Sequence, residues 1–178
     1  MGFTENWFRQ PARDTLAALA ASAPDGMVLE IGAWEGRSTV VIANTVAPRI
    51  LHTVDTWAGA STDITGELAA QRDVHAVWQA NVAELTVGNV IGHRMGWRDF
   101  VPTIDGPVGF CFIDAEHTYT EVADNINALL PLLSDDAVLC GDDAGHPPVA
   151  EALADTLGGA VDIDGVVWSW KMPGRGDR

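Results

Sequence analysis

Apolar positions along the chain follow two periods. Met27 to Ile31, Ile50 to Val54, Val108 to Ile113 and Ala137 to Cys140 are nearly unbroken runs, the pattern of strands buried on both faces of a parallel sheet. Asn89 to Arg94 reads as a shorter strand between the second and fourth positions. Between these runs the apolar spacing changes to the helical repeat. Trp7, Phe8, Leu16 and Leu19 predict a helix over 5–22, ended by Pro24-Asp25-Gly26. A second helix runs from Ser38-Thr39 to about Val46 and stops before Pro48. Val74, Trp78, Val82 and Leu85 predict a helix over 67–85; Val122, Ile126, Leu129 and Leu130 predict one that weakens at Pro131. A short helix is expected over 149–157, then a hairpin, 159–163 and 166–171, turning at Asp164-Gly165. The alternation predicts an α/β fold: a doubly wound sheet of seven strands, mostly parallel, with helices on both faces and a C-terminal antiparallel hairpin. Residues 57–66, rich in Gly, Ala, Ser and Thr, are expected to be a loop and a candidate substrate lid.

Candidate chemistry starts at the first strand end, Glu30-Ile31-Gly32-Ala33-Trp34-Glu35-Gly36-Arg37-Ser38-Thr39. Strand, glycine turn and helix form the unit that binds nucleotide-like ligands beyond a strand's carboxyl end. The glycines are four apart, which is not the dinucleotide spacing, and the loop is acidic, a poor host for pyrophosphate. It suits a positively charged ligand such as the sulfonium of S-adenosylmethionine (SAM). Asp55, at the tip of the second strand and 25 positions after Glu30, is placed to hold a ribose diol. Gly96-Trp97, after the third strand, offers an aromatic plane for a base.

A second constellation is acidic. Val108 to Ile113 ends in Asp114-Ala115-Glu116-His117-Thr118-Tyr119, and Ala137 to Cys140 ends in Gly141-Asp142-Asp143. Neighbouring parallel strands end at the same sheet edge, so Asp114 is expected beside Asp142 and Asp143 although 28 positions separate Asp114 from Asp142. Carboxylates so gathered repel unless a positive charge joins them. Their oxygens suit a hard divalent cation, Mg²⁺ first, with Mn²⁺ or Ca²⁺ as alternatives. His117 is the first candidate general base, with an ordinary pKa of about 6.5, and Glu116 its competitor.

Charge narrows the field. The 178 residues carry 25 acidic against 10 basic side chains, a formal net charge of −15. Such a surface disfavours nucleic acid and anionic membranes. No apolar run approaches a membrane span, and the N-terminus lacks a signal-peptide pattern. Cys111 and Cys140 lie within strand-like runs, as reduced thiols of a cytoplasmic protein would. The length suits one domain, with 1–24 as an N-terminal helical segment and 173–178 as a frayed tail.

Taken in order, these motifs resemble the small metal-dependent O-methyltransferases of the class I SAM-dependent, Rossmann-like fold. The resemblance covers about residues 27–150 and is strongest to the subgroup with Asp-x-x-His-x-Tyr, here Asp114 to Tyr119. It extends to enzymes that methylate antibiotic sugars and to catechol-type enzymes. It implies that Glu30, Gly32, Ala33, Trp34, Gly36, Ser38, Asp55, Thr56, Trp57, Gly96, Trp97 and Asp114 bind SAM. It also implies that Asp114, Asp142 and Asp143 hold the metal, and that a small hydroxylated acceptor (a sugar, phenol or secondary metabolite) receives the methyl group. Catechol-type members carry Lys at the position of His117 and Asn at that of Asp143; antibiotic-sugar members put an acidic base at that of Glu116. The chain leaves little room for the long N-terminal segment or inserted lid of larger relatives, so the acceptor site is expected to be open or completed by a second subunit, with Trp168 and Trp170 as a buried contact or dimer face. Two other readings compete: a SAM-binding protein without turnover, and a metal-dependent hydrolase using the same aspartates.

Overall fold

The computed structural model describes residues 2–60 and 62–174. The apolar runs form β1 (Met27–Ile31), β2 (Leu51–Asp55), β3 (Val90–Arg94), β4 (Val108–Ile113) and β5 (Leu133–Gly141), followed by the hairpin β6 (Asp162–Asp164) and β7 (Val167–Lys171). They make one seven-stranded sheet in the order β3-β2-β1-β4-β5-β7-β6. The first five strands pair in parallel and the last two antiparallel.

Side-chain alternation splits the core between the two sheet faces. Val28, Phe110, Phe112, Val138 and Cys140 pack with α1 (Gln10–Ala21) and α2 (Arg37–Val46). Leu29, Ile31, Cys111, Ile113 and Leu139 pack on the other face with α6 (Tyr119–Leu129) and α7 (Pro147–Leu157). Trp168 is buried and Trp170 half-buried against this second cluster.

Several boundaries differ from the sequence expectation. The first helix begins at Gln10, not near residue 5, because Pro11 occupies its first turn, where a missing N–H costs nothing. Residues 2–9 instead run as a non-helical strap. The helix expected over 67–85 is two, α3 (Ile64–Gln71) and α4 (Val74–Leu85): Asp63 caps the first through the Thr65 N–H, and Asp73 caps the second through the Ala76 N–H. The glycine-rich loop before them is correspondingly shorter, and its Ser61 lies outside the described residues. The hairpin turns at Gly165-Val166, one residue later than Asp-Gly spacing suggests, with Gly165 at φ 64°. Gly96 leads into a short helical turn, α5 (Trp97–Phe100), rather than an open loop. Of the terminal segment, 175–178 lie outside the described residues.

Register positions the site. Ile31 pairs with Val54 on one side and with Ile113 on the other, and Ile113 pairs with Gly141. Gly32, Asp55, Asp114 and Asp142 therefore leave the sheet at one level. The Gly32 position tolerates no side chain: at φ 86°, a Cβ there would stand 2.1 Å from the Asp114 carbonyl oxygen.

Beneath this edge, Glu30 is fully buried. Its carboxylate accepts hydrogen bonds from Ser38 Oγ (2.6 Å), Thr39 Oγ1 (2.6 Å) and Thr53 Oγ1 (3.0 Å), tying β1 to β2 and to the first turn of α2. Burial pushes the carboxyl up to about 7 from its ordinary 4.5, although the three hydroxyls pull it down. Between those values the native state holds a proton that the unfolded chain has released, so this group's contribution falls as pH rises through the window. Glu30→Gln removes that slope. Urea unfolding at pH 5 and pH 8 should show the wild type losing stability relative to the variant at the higher pH; a constant difference would refute the assignment.

Candidate active site

The glycine loop turns through three residues of positive φ, Gly32 at 86°, Trp34 at 48° and Gly36 at 90°, before α2 begins. Asp55 holds this shape. Its Oδ2 accepts from the Ala33 N–H (2.8 Å) and the Trp34 N–H (2.9 Å), and its Oδ1 from the Trp57 N–H (2.7 Å). Oδ2 is filled by its two amides, and Oδ1 keeps lone-pair capacity for a further donor.

Two cavities open above the sheet edge. One, about 400 Å³, is lined by Gly32, Asp55, Thr56, Gly96, Trp97 and Glu116 among others. The other, about 430 Å³, includes Ala33, Ser38, Asp142 and Asp143 together with the strap residues Phe3 and Phe8. Trp7, Trp34, Asp63, Thr65, Asp114 and His117 line both, so the cavities meet there. Trp97 is fixed at its edge by donating Nε1–H to Glu121 at 3.0 Å, with the Arg98 guanidinium over its ring.

Three residues of the expected cofactor set line neither cavity. Glu30 lies beneath the loop, as described. Gly36 faces Trp78, whose Cδ1 would stand 2.9 Å from an added Cβ. Trp57 is only 3% exposed; it donates Nε1–H to the Trp34 carbonyl and packs on Trp78 and His75, with ring centroids 4.8 and 4.4 Å away. It buttresses the loop from below.

The acidic constellation is regrouped. The potential ligand atoms of Asp114, His117 and Asp143 lie within 4.8 Å of one another. His117 Nε2 stands 3.4 Å from Asp114 Oδ1 and 3.3 Å from Asp143 Oδ2. Asp143 reaches in through a left-handed backbone, φ 58°. The expected trio had Asp142 in the place that His117 takes here. Asp142 stands at the same rim with its Oδ1 buried and unpartnered. Burial, then the neighbouring Asp114 charge, raises the Asp142 carboxyl to about 7.

The hydrogen bond to Asp114, with the charges of Asp114, Asp143 and Asp142, raises the His117 imidazole to about 9. In this arrangement His117 carries the positive charge that the carboxylates require, and an imidazolium donates a proton rather than accepting one. A cation among the same groups would take over that role. The donor set fits one: hard carboxylate oxygens, one imidazole nitrogen and a buried carboxylate oxygen without a partner.

The sequence reading missed the strap. Thr4 donates its N–H to Glu35 Oε2 at 2.7 Å. Glu5 Oε2 pairs with Arg72 at 2.6 Å, and Arg72 also reaches the buried Glu35 at 3.0 Å. Arg37 donates to the Glu5 carbonyl at 2.6 Å while its guanidinium lies 4.3 Å from the Phe3 ring centroid. One signal was present: Phe3, Trp7 and Phe8 precede a proline that marks the true helix start.

A family model described as "Methyltransferase domain" matches residues 29–144. A search of curated proteins returns no match. Among solved structures, the O-methyltransferase NovP is 18% identical with a TM-score of 0.69, over 90% of this chain and 79% of that one. TomG, an O-methyltransferase from Streptomyces achromogenes solved in complex with SAM, is 17% identical with a TM-score of 0.67, over 92% and 81%. A precorrin-6y C5,15-methyltransferase from Geobacter metallireducens is 13% identical with a TM-score of 0.68, over 96% and 94%. At these identities the structures share a fold whose members act on different acceptors. The family match, in contrast, spans well over half of the 178 residues, from β1 through the Asp142-Asp143 rim: the chain belongs to the methyltransferase-domain family of class I SAM-dependent enzymes.

Proposed function

We propose that this chain acts as one domain that transfers a methyl group from SAM to a hydroxyl of a small molecule with the help of a divalent cation. One observation carries the reading: a cavity walled by the glycine loop and Asp55 meets an acid-lined cavity at Asp114 and His117. SAM supplies the methyl group, and a divalent cation, when bound, supplies positive charge that makes a nearby hydroxyl more acidic. Gly32 and the Asp55 carboxylate bind the donor on one side, with Gly96 and Trp97 offering a surface for its base. Ala33, Trp34 and Ser38 continue the wall into the second cavity. Asp114, Asp143 and His117 would hold the cation, Mg²⁺ by donor hardness, and Asp142 adds charge at the same rim.

Transfer needs the acceptor oxygen and the methyl carbon brought into line, which is mainly alignment and charge stabilisation. Proton removal falls to His117 or Glu116. His117 touches both cavities, whereas Glu116 opens only to the donor side; an imidazole that is protonated or holds the cation accepts no proton, so with the cation bound Glu116 takes that step. The net charge of −15 argues against a nucleic-acid acceptor.

The test is transfer of tritiated methyl from SAM to a panel of hydroxylated compounds, with Mg²⁺ and with chelator. Asp143→Ala should lower turnover by on the order of 100-fold while SAM affinity stays within a few-fold. Undiminished transfer in chelator, or in the variant, would remove the metal role. SAM binding with no transfer to any compound would favour a binding protein.

A further inference from the structure

Trp7 is the residue to explain. It is 53% exposed and belongs to no core cluster, yet it lines both cavities. Its ring centroid lies 5.9 Å from that of Trp34, tilted by 36°, so the two indoles make one wall where the cavities meet. The strap on either side is anchored. Thr4 and Glu5 are tied to Glu35 and Arg72, and Phe8 is buried against Phe112, centroids 5.8 Å apart. Trp7 is thus held in place by its neighbours while its own face stays open.

The charge around that wall is one-sided. Among the described residues, six carboxylates line the strap-side cavity, against Arg37 and His117 as its cations. Neither cation is free to receive an anion. Arg37 is covered by Phe3 and bonded to the strap carbonyl, and His117 sits between Asp114 and Asp143. Arg72 is engaged by Glu5 and Glu35. An incoming carboxylate would meet Asp63, Asp142 and Asp143 without a partner, a cost that remains when a cation neutralises part of the rim. A protonated amine would meet the same carboxylates and the negative faces of two indoles.

We propose that the N-terminal strap, through Trp7 beside Trp34, selects the acceptor: a flat aromatic alcohol that is uncharged or carries an amine, with carboxylated analogues turned away. The inference rests on the methyltransferase reading for the word acceptor, but its selection rule is a matter of binding and is tested as such.

The probes are dopamine, catechol and 3,4-dihydroxybenzoate, which share one diol and differ in charge, with cis-1,2-cyclohexanediol as the non-aromatic control. Each is titrated calorimetrically into the full chain saturated with S-adenosylhomocysteine and Mg²⁺, and each is assayed for methyl transfer from SAM. Dopamine and catechol should bind at least ~10-fold more tightly than 3,4-dihydroxybenzoate and than the cyclohexanediol. Trp7→Ala should weaken dopamine and catechol by roughly 5- to 10-fold and leave the S-adenosylhomocysteine affinity in place, and Trp7→Phe should restore most of the loss. Equal or tighter binding of 3,4-dihydroxybenzoate, equal binding of the cyclohexanediol, an unchanged Trp7→Ala variant, or no binding of any probe would overturn the proposal. Selective binding without methyl transfer would support the selection rule and count against the methyltransferase reading; transfer to all four compounds without discrimination would do the reverse.

Discussion

Like charge crowded onto one sheet edge is the constraint behind this site. Parallel pairing of β4 with β5 sets Asp114 level with Asp142, and the left-handed turn at Asp143 brings a third carboxylate inward. In water three such groups would separate; here the ladder of backbone hydrogen bonds prevents it. The arrangement answers by drawing positive charge to itself. His117 supplies it, and its raised proton affinity measures the demand. The same demand suits the proposed cation, and Asp142 keeps a buried oxygen without a partner among the described residues.

The rest of the architecture controls what reaches that rim. Gly32 lets β1 end against the Asp114 backbone, so the loop and the acids share a border. Asp55 binds the loop from the next strand, Trp57 supports it from below, and Glu30 ties the strand beneath it to α2. Above, the strap bridges the glycine loop and the end of α3 through Glu5, Glu35 and Arg72. Strap residues Phe3, Glu5, Trp7 and Phe8 thereby wall the cavity that holds Asp142 and Asp143.

Much of this was legible in the sequence because parallel strands announce themselves as apolar runs. β1, β2, β4 and β5 each end in the Gly or Asp that serves the site, and strand adjacency then gathers the acids. What spacing alone does not convey is which way a side chain turns. Glu30 sits in the motif but alternates onto the α2 face of the strand, and Trp57 follows Asp55 but turns under the loop at φ 54°. His117 reads as a base because its contact with Asp143 depends on a backbone angle that Asp-Asp does not spell out. The strap was hidden by apolar residues that imitate a helix start, and Pro11 was the overlooked boundary. The break between α3 and α4 rests on Asp73, whose capping role competes with a continuous apolar repeat.

Anomalous diffraction from crystals grown with Mn²⁺ and S-adenosylhomocysteine tests the central claim most directly. The account predicts one manganese peak held by Asp114, His117 and Asp143, with the nucleoside lying in the neighbouring cavity against Gly32 and Asp55. Manganese absent from that rim at saturating concentration, or a nucleoside bound away from the glycine loop, would contradict it.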